Sequence, residues 1–310
     1  MTDRDVMVLM SGFFAGNDFY CQQIAGRGVD VAVGLRPLPN RLLRALRRLH
    51  FLMRAPGQAI WFNHEWRRMA GSKRLIIIHA ADIVLPIARY LKRKAPDARV
   101  VLWYWNPVAR GTNPNFARPL GAELWSFDEA DSKQFGMRAN TTYSFREISS
   151  MAPHVEPTVD FLFFGTDKGR APALHELAEL LESQGLSHLF CIAGTQQGSL
   201  AAYDKLVPAE SVPYEKILEM TVRARVVVDI VQEGQSGLTL RALEALYLGR
   251  KLMTNSKSIR ESPLYSEDRV FILGDRSPSE IRSFLNTGTV PYPPEILEYY
   301  DFDSWLKRFG

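Results

Sequence analysis

Short apolar runs alternate along the chain with amphipathic stretches, and the two patterns predict different elements. VMVLMSG (6–12) ends at a glycine, as a strand entering a turn does, and a helical stretch follows around 18–26. VDVAVGL (29–35) is the next strand. LIIIHA (75–80) precedes a helix from Asp82 to about Lys94, in which Ile83, Ile87, Tyr90 and Leu91 share one face. ARVVLWYW (98–105) and AELWSF (122–127) supply further strands. Strand-then-helix order, repeated, demands right-handed crossovers in a parallel sheet, so the first half is α/β.

The stretch 148–158, with Pro153, Pro157 and little periodicity, reads as a linker, and the alternation then restarts. Strands are predicted at DFLFFG (160–165), LFCIAG (189–194), RVVVDIV (225–231), KLMT (251–254) and RVFIL (269–273). Helices are predicted at 171–184, 214–222 and 238–248. The tail 296–309 carries helical spacing at Leu297, Tyr300, Trp305 and Leu306. These patterns predict two doubly wound, Rossmann-like α/β domains, 1–150 and 151–290, facing each other across a cleft, followed by a helical segment 291–310.

Composition narrows this reading. The chain has 310 residues, 46% apolar and 23% charged, which excludes disorder and a disulfide scaffold. Cys21 and Cys191 lie far apart without metal-ligand spacing, and a reduced, buried pair fits a cytoplasmic protein. The opening MTDRDVMVLM has no basic region before its apolar run and predicts no signal peptide. Charge is uneven: 22 Lys/Arg against 12 Asp/Glu in 1–150, but 16 against 22 in 151–310. Ten basic residues and one acid fall in 36–74, which suggests an anionic partner. Within that block, 40–54 places Leu42, Leu43, Leu46, Leu49 and Met53 between Arg41, Arg44, Arg47, Arg48 and Arg54. Such a helix either lies on an anionic membrane surface or turns its leucines to the core and its arginines to water. No nucleic-acid motif is visible, so nucleic acid is not an expected partner.

Candidate chemistry concentrates in two loops. In Asp229–Gly249 a β-branched strand enters a polar loop and then an amphipathic helix. Ser236 and Gly237 stand before the helix, where free N–H groups and the helix dipole attract phosphate. Thr239 adds a hydroxyl, Arg241 a fork of donors for a diphosphate, and Glu244 an acceptor for ribose hydroxyls. Alternatively Ser236 merely caps the helix, with Arg241 and Glu244 in solvent. The second loop, FLFFGTDKGR (161–170), places Gly165, Thr166, Lys168, Gly169 and Arg170 at the carboxyl end of a strand, where ligands of open α/β sheets gather.

The strand, the loop and SGLTLRALEALYLGRKLMTN (236–255) resemble the donor half of GT-B-fold, nucleotide-sugar-dependent glycosyltransferases. SFDEAD (126–131), FFGTDKGR (163–170) and EGQSGLTLRALEA (233–245) resemble a bacterial group linked to lipopolysaccharide and capsule assembly. The resemblance implies a nucleotide-sugar donor as co-substrate, with Glu244 on its ribose, and no further cofactor. It implies a glycan or lipid-linked glycan acceptor in the first domain, a last helix packed back on that domain, and no bound metal. One departure stands out: the retaining pattern E-x7-E would put an acid at position 236, which is Ser236, while Glu233 lies eleven residues before Glu244. Stereochemistry therefore stays open. Asp301–Phe302–Asp303 matches a DxD metal motif, but its place in the tail assigns it to a polar helix face.

A transferase also needs a group to take the acceptor's proton. Asp18, in the loop after the first strand, serves as that base or caps the helix starting there. His79 is a second candidate, or a structural histidine. Asp128 and Asp131 line the same region or cap a helix, and WYWNP (103–107) offers faces for a sugar or packs in the core. The sequence thus predicts a cytoplasmic, peripheral glycosyltransferase acting on a bacterial surface glycan. Its rivals are a non-catalytic scaffold of the same fold and a sugar-nucleotide epimerase.

Overall fold

The computed structural model describes residues 5–12, 16–152, 155–195, 200–232 and 234–310, with side chains throughout except at position 110. Contacts divide the chain into two units, one ending at Asn140 and one beginning at Thr141. The first holds β1 (Val6–Met10), β2 (Asp30–Val33), β3 (Leu75–His79), β4 (Arg99–Tyr104), β5 (Glu123–Ser126) and β6 (Arg138–Ala139). They form one parallel sheet in the order β2-β1-β3-β4-β5-β6. The second holds β7 (Val159–Gly165), β8 (His188–Ala193), β9 (Val207–Ala209), β10 (Ala224–Asp229), β11 (Lys251–Thr254) and β12 (Val270–Ile272). Its sheet is also parallel, ordered β12-β11-β10-β7-β8-β9.

Every residue of β1 and β3 is buried, which is why VMVLM and the LIII of β3 are apolar runs rather than alternations. Each sheet has its own core, one around Trp66, Ile76, Ile87 and Leu102 and the other around Phe161, Leu174, Phe190 and Met253. Strand order reverses between β1 and β3 in the first unit and between β7 and β10 in the second. Those are the switch points at which such sheets bind ligands, beyond the strands' carboxyl ends.

Two features depart from the sequence patterns. The tail is not one helix: Pro294–Tyr300 and Phe302–Lys307 are separated by Asp301, extended at φ −70° and ψ 150°. Nor is Asp301 on a polar face. It is fully buried, caps the last helix, and accepts hydrogen bonds from the Arg146 backbone N (2.9 Å) and Nη2 (3.1 Å). The buried ring of Trp305 stacks 4.2 Å from Tyr143, with Phe302 and Phe309 beside it. The tail thus packs on 143–146, a stretch that the sequence pattern places in the first domain and contacts place in the second unit.

The predicted helix at 40–54 forms as Arg41–Leu52, with Asn40 accepting from Leu43 N. Its orientation excludes the core-facing alternative. Of the predicted stripe Leu42, Leu46, Leu49 and Met53 are exposed, Leu42 at 82%, and Leu43 is half-buried; Leu52 beside them is exposed at 80%. Arg47 points inward instead, buried, and donates to Arg36 O at 2.9 Å. Both cysteines are free thiols, Cys191 buried and Cys21 half-buried. No helix among the described residues is long and apolar enough to cross a membrane.

Candidate functional site

The carboxyl ends of β7 and β10 are joined by one arginine. Arg241 is the second residue of the helix Leu240–Tyr247 and reaches back across the switch point. Its Nη2 and Nε donate to Phe164 O at 3.0 and 3.2 Å, its Nη1 faces Asp229 Oδ1 at 3.4 Å, and the guanidinium lies 4.5 Å from the Phe163 ring centroid. Gly165 makes this approach possible, because a Cβ there would fall 2.0 Å from Arg241 Nη2. Asp229 is buried, and its other oxygen accepts from Thr239 Oγ1 at 2.7 Å. Thr239 is the helix cap, accepting from Ala242 N at 3.3 Å. Ser236 therefore does not cap this helix. It is half-buried, and its carbonyl accepts from Ser258 Oγ, as the Gly237 carbonyl does from Gln235.

Arg170 completes the cluster from the other loop. It is buried, donates to Thr166 O at 3.2 Å, and shares the Phe163 ring with Arg241 at 5.9 Å. Its Nε is buried without a hydrogen-bond partner. Burial, and then the charge of Arg241, lower its pKa to about 10, with Asp229 and Asp167 opposing. It is still a cation at neutral pH. Two guanidiniums thus face one buried carboxylate, and the imbalance suits an anion. Asp167 Oδ1 accepts from Ala171 N at 2.8 Å, and Arg170 N closes a turn on Asp167 O. The central residues of that turn, Lys168 and Gly169, are both left-handed at φ 47° and 82°, and Thr166 and Lys168 are exposed.

Glu244 is not in solvent. It is buried one turn along from Arg241, and its Oε1 accepts from the Tyr214 hydroxyl at 2.8 Å. Burial raises its pKa above the usual carboxylate range, with Arg241 and Tyr214 opposing. Asp229, Phe163 and Tyr214 are the site residues that motif reasoning passes over. For Asp229 a signal existed: an acid closing an otherwise apolar strand at the end where ligands bind.

In the first unit the candidates separate. His79 ends β3 at the switch point, buried, 5.8 Å from the Trp105 ring, and burial lowers its pKa to about 3. Asp18 is exposed in the first turn of the helix Asn17–Gly26, whose cap is Gly16, so Asp18 is not the cap. Asp128 is a buried cap accepting from Asp131 N, and Asp131 accepts from Val108 N at 2.7 Å. Trp103 and Tyr104 are core. Glu233 lies outside the described residues. Among the described residues no three His, Cys, Asp or Glu side chains cluster as metal ligands do.

Two parallel sheets, each with a ligand-type switch point, match known structures along nearly the whole chain. AviGT4, a glycosyltransferase involved in avilamycin A biosynthesis, aligns at a TM-score of 0.62 and 14% identity, over 98% of this chain and 95% of its own. The fold is GT-B. Sucrose-phosphate synthase from Thermosynechococcus elongatus aligns at 0.58 and 9% identity, over 99% and 97%. An alpha-glucosyltransferase in complex with UDP and a 13-mer DNA aligns at 0.55 and 10% identity, over 98% and 92%. No protein-family model matches the sequence, and no curated protein does. Sequence likeness at this level carries the GT-B architecture and leaves the chemistry to the side chains.

Proposed function

We propose that the chain is a glycosyltransferase that moves a sugar from a nucleoside-diphosphate donor to a bacterial surface glycan, of lipopolysaccharide, capsule or exopolysaccharide type. The observation that carries this reading is the Arg170–Arg241 pair at the β7/β10 switch point, Arg241 held by Asp229 and Phe164 O and Arg170 by Thr166 O. Negative charge grows on the diphosphate as the bond to the sugar breaks. Two preorganised guanidiniums and a helix N-terminus stabilise that charge without a metal ion. Thr166, Lys168, Ser236 and Gly237 border the phosphates, and Glu244 takes a ribose hydroxyl with the oxygen that Tyr214 leaves. In the first unit the exposed Asp18 takes the acceptor's proton. His79, neutral at this pKa, orients rather than abstracts. The leucines of Arg41–Leu52 rest on the anionic inner face of the cytoplasmic membrane.

Arg170 supplies the test. A buried cation with an unpaired Nε costs stability, and an anionic ligand that accepts from it would offset that cost. Arg170→Met should leave the melting temperature unchanged or higher without ligand. Wild-type protein should melt higher with one of UDP, GDP, CMP or ADP, and the variant should lose that increment. No increment with any nucleotide would sink the donor site. A second reading, binding without turnover, is favoured by the internal commitment of Arg241 to Phe164 O and Asp229. Slow hydrolysis of the nucleotide-sugar excludes it.

A further inference from the structure

Beside the exposed leucines, the helix Arg41–Leu52 and the segment from Ala81 to Arg89 border a pocket of about 680 Å³ within the first unit. That volume is in the range of small-molecule sites. Phe51, Ile83, Leu85 and Phe116 give it apolar walls, and the Phe116 ring is itself 64% exposed. Arg48, Arg54 and Arg89 also line it, against a single acid, Asp82. Arg48 and Arg54 are exposed, and Arg54 holds a left-handed backbone at φ 50°, uncommon for a residue with a side chain. None of these three arginines forms an ion pair with a described residue. The apolar stripe Leu42, Leu46 and Leu49 runs along the same helix that contributes Phe51.

An apolar slot with an excess of unpaired guanidiniums, continuous with a leucine-studded helix, matches one ligand chemistry: an aliphatic chain ending in phosphate. The walls remove the chain from water, and the guanidiniums meet the phosphate oxygens with charge-assisted hydrogen bonds. We propose that this pocket binds the chain of a lipid phosphate, and that the glycan acceptor is carried on such a lipid. The binding stands on the pocket itself; its assignment to the acceptor rests on the transferase reading above.

The probe is dodecyl phosphate below its critical micelle concentration, titrated calorimetrically into the full chain. It should bind at least about tenfold more tightly than inorganic phosphate, which lacks the chain, and than dodecyl maltoside, which lacks the charge. Ile83→Trp, which fills the slot, and Arg48→Glu, which reverses one rim charge, should each weaken binding about tenfold at unchanged melting temperature. Should Ile83→Trp fail to fold, Phe116→Ala removes an exposed ring and should give the same loss. Ile83→Trp should still bind anionic phosphatidylglycerol vesicles, because the leucine stripe is intact. Equal affinity for the three probes, or full affinity in the filled variant, would overturn the proposal. So would a dimer whose formation excludes dodecyl phosphate, since the face then belongs to a second copy. Nucleotide melting shifts should be untouched in every variant. Their absence from wild-type protein that binds dodecyl phosphate would remove the acceptor assignment alone.

Discussion

A single hydrogen at position 165 decides whether the donor cluster can form. Because a Cβ there would overlap Arg241 Nη2, Gly165→Ala must push the guanidinium off Phe164 O and Asp229. The expected cost is about 1–3 kcal/mol of stability and a loss of nucleotide affinity of about tenfold or more. Chemical denaturation and nucleotide titration of the same variant check both, and an unchanged affinity would show that Arg241 does not face the donor. His79 makes the other residue-scale prediction, in pH. Its folded pKa of about 3 lies below the ordinary histidine value, so the unfolded chain binds the proton first on acidification. Stability from this group is present above about pH 6.5 and is lost as pH falls toward 3. His79→Gln should flatten the fall of stability across that window. An identical slope would mean that the imidazole is protonated in the folded protein.

At the scale of elements, legibility followed burial. Central strands such as β3 and β10 were readable because they are apolar on both faces and long enough to show it. Edge strands β6 and β9 were not: they have two and three residues, mostly exposed, and β9 contains Pro208. The donor helix is legible within two residues, but its cap is not, since Ser236, Gly237 and Thr239 offer equal local signals. Only the tertiary partner Asp229 selects Thr239. The helix Arg41–Leu52 shows the limit differently. Its leucine stripe was evident, but periodicity is the same whether a stripe faces core or solvent, and the inward Arg47 settles the direction. Removing exposed leucines costs the fold little, so Leu42→Glu with Leu46→Glu should leave the melting temperature in place. The pair should weaken binding to anionic phosphatidylglycerol vesicles by about 2 kcal/mol or more, measured by co-sedimentation. Undiminished vesicle binding would remove the membrane role of this face.

At the scale of the whole molecule, the question is where one folding unit ends and the next begins. Local sequence favours a joint near Pro153 and Pro157, because prolines and weak periodicity look like a linker. The contacts of the preceding residues point earlier. Tyr143 stacks on Trp305, Phe145 lies 5.9 Å from the Phe302 ring, and Arg146 reaches the buried Asp301. Thr142 Oγ1 donates to Leu238 O at 2.7 Å, in the loop that leads into the donor helix. No local pattern reveals such pairings, since the partners are about 100 to 160 residues apart in sequence. Both sheets have their own core, so each unit is large enough to fold alone. A fragment of residues 141–310 should therefore fold cooperatively and keep the nucleotide melting increment of the full chain. A fragment of 151–310 loses the Tyr143 and Phe145 rings under Trp305 and the Arg146 contacts of Asp301. The buried rings alone are worth about 3–5 kcal/mol by analogy with core truncations, a large share of a domain's stability. The Arg146 pair adds little, because its guanidinium is half-exposed and screened. The shorter fragment should melt lower by many degrees or fail to fold. Equal melting of the two fragments would put the boundary back at the prolines and leave the 143–146 contacts without energetic weight.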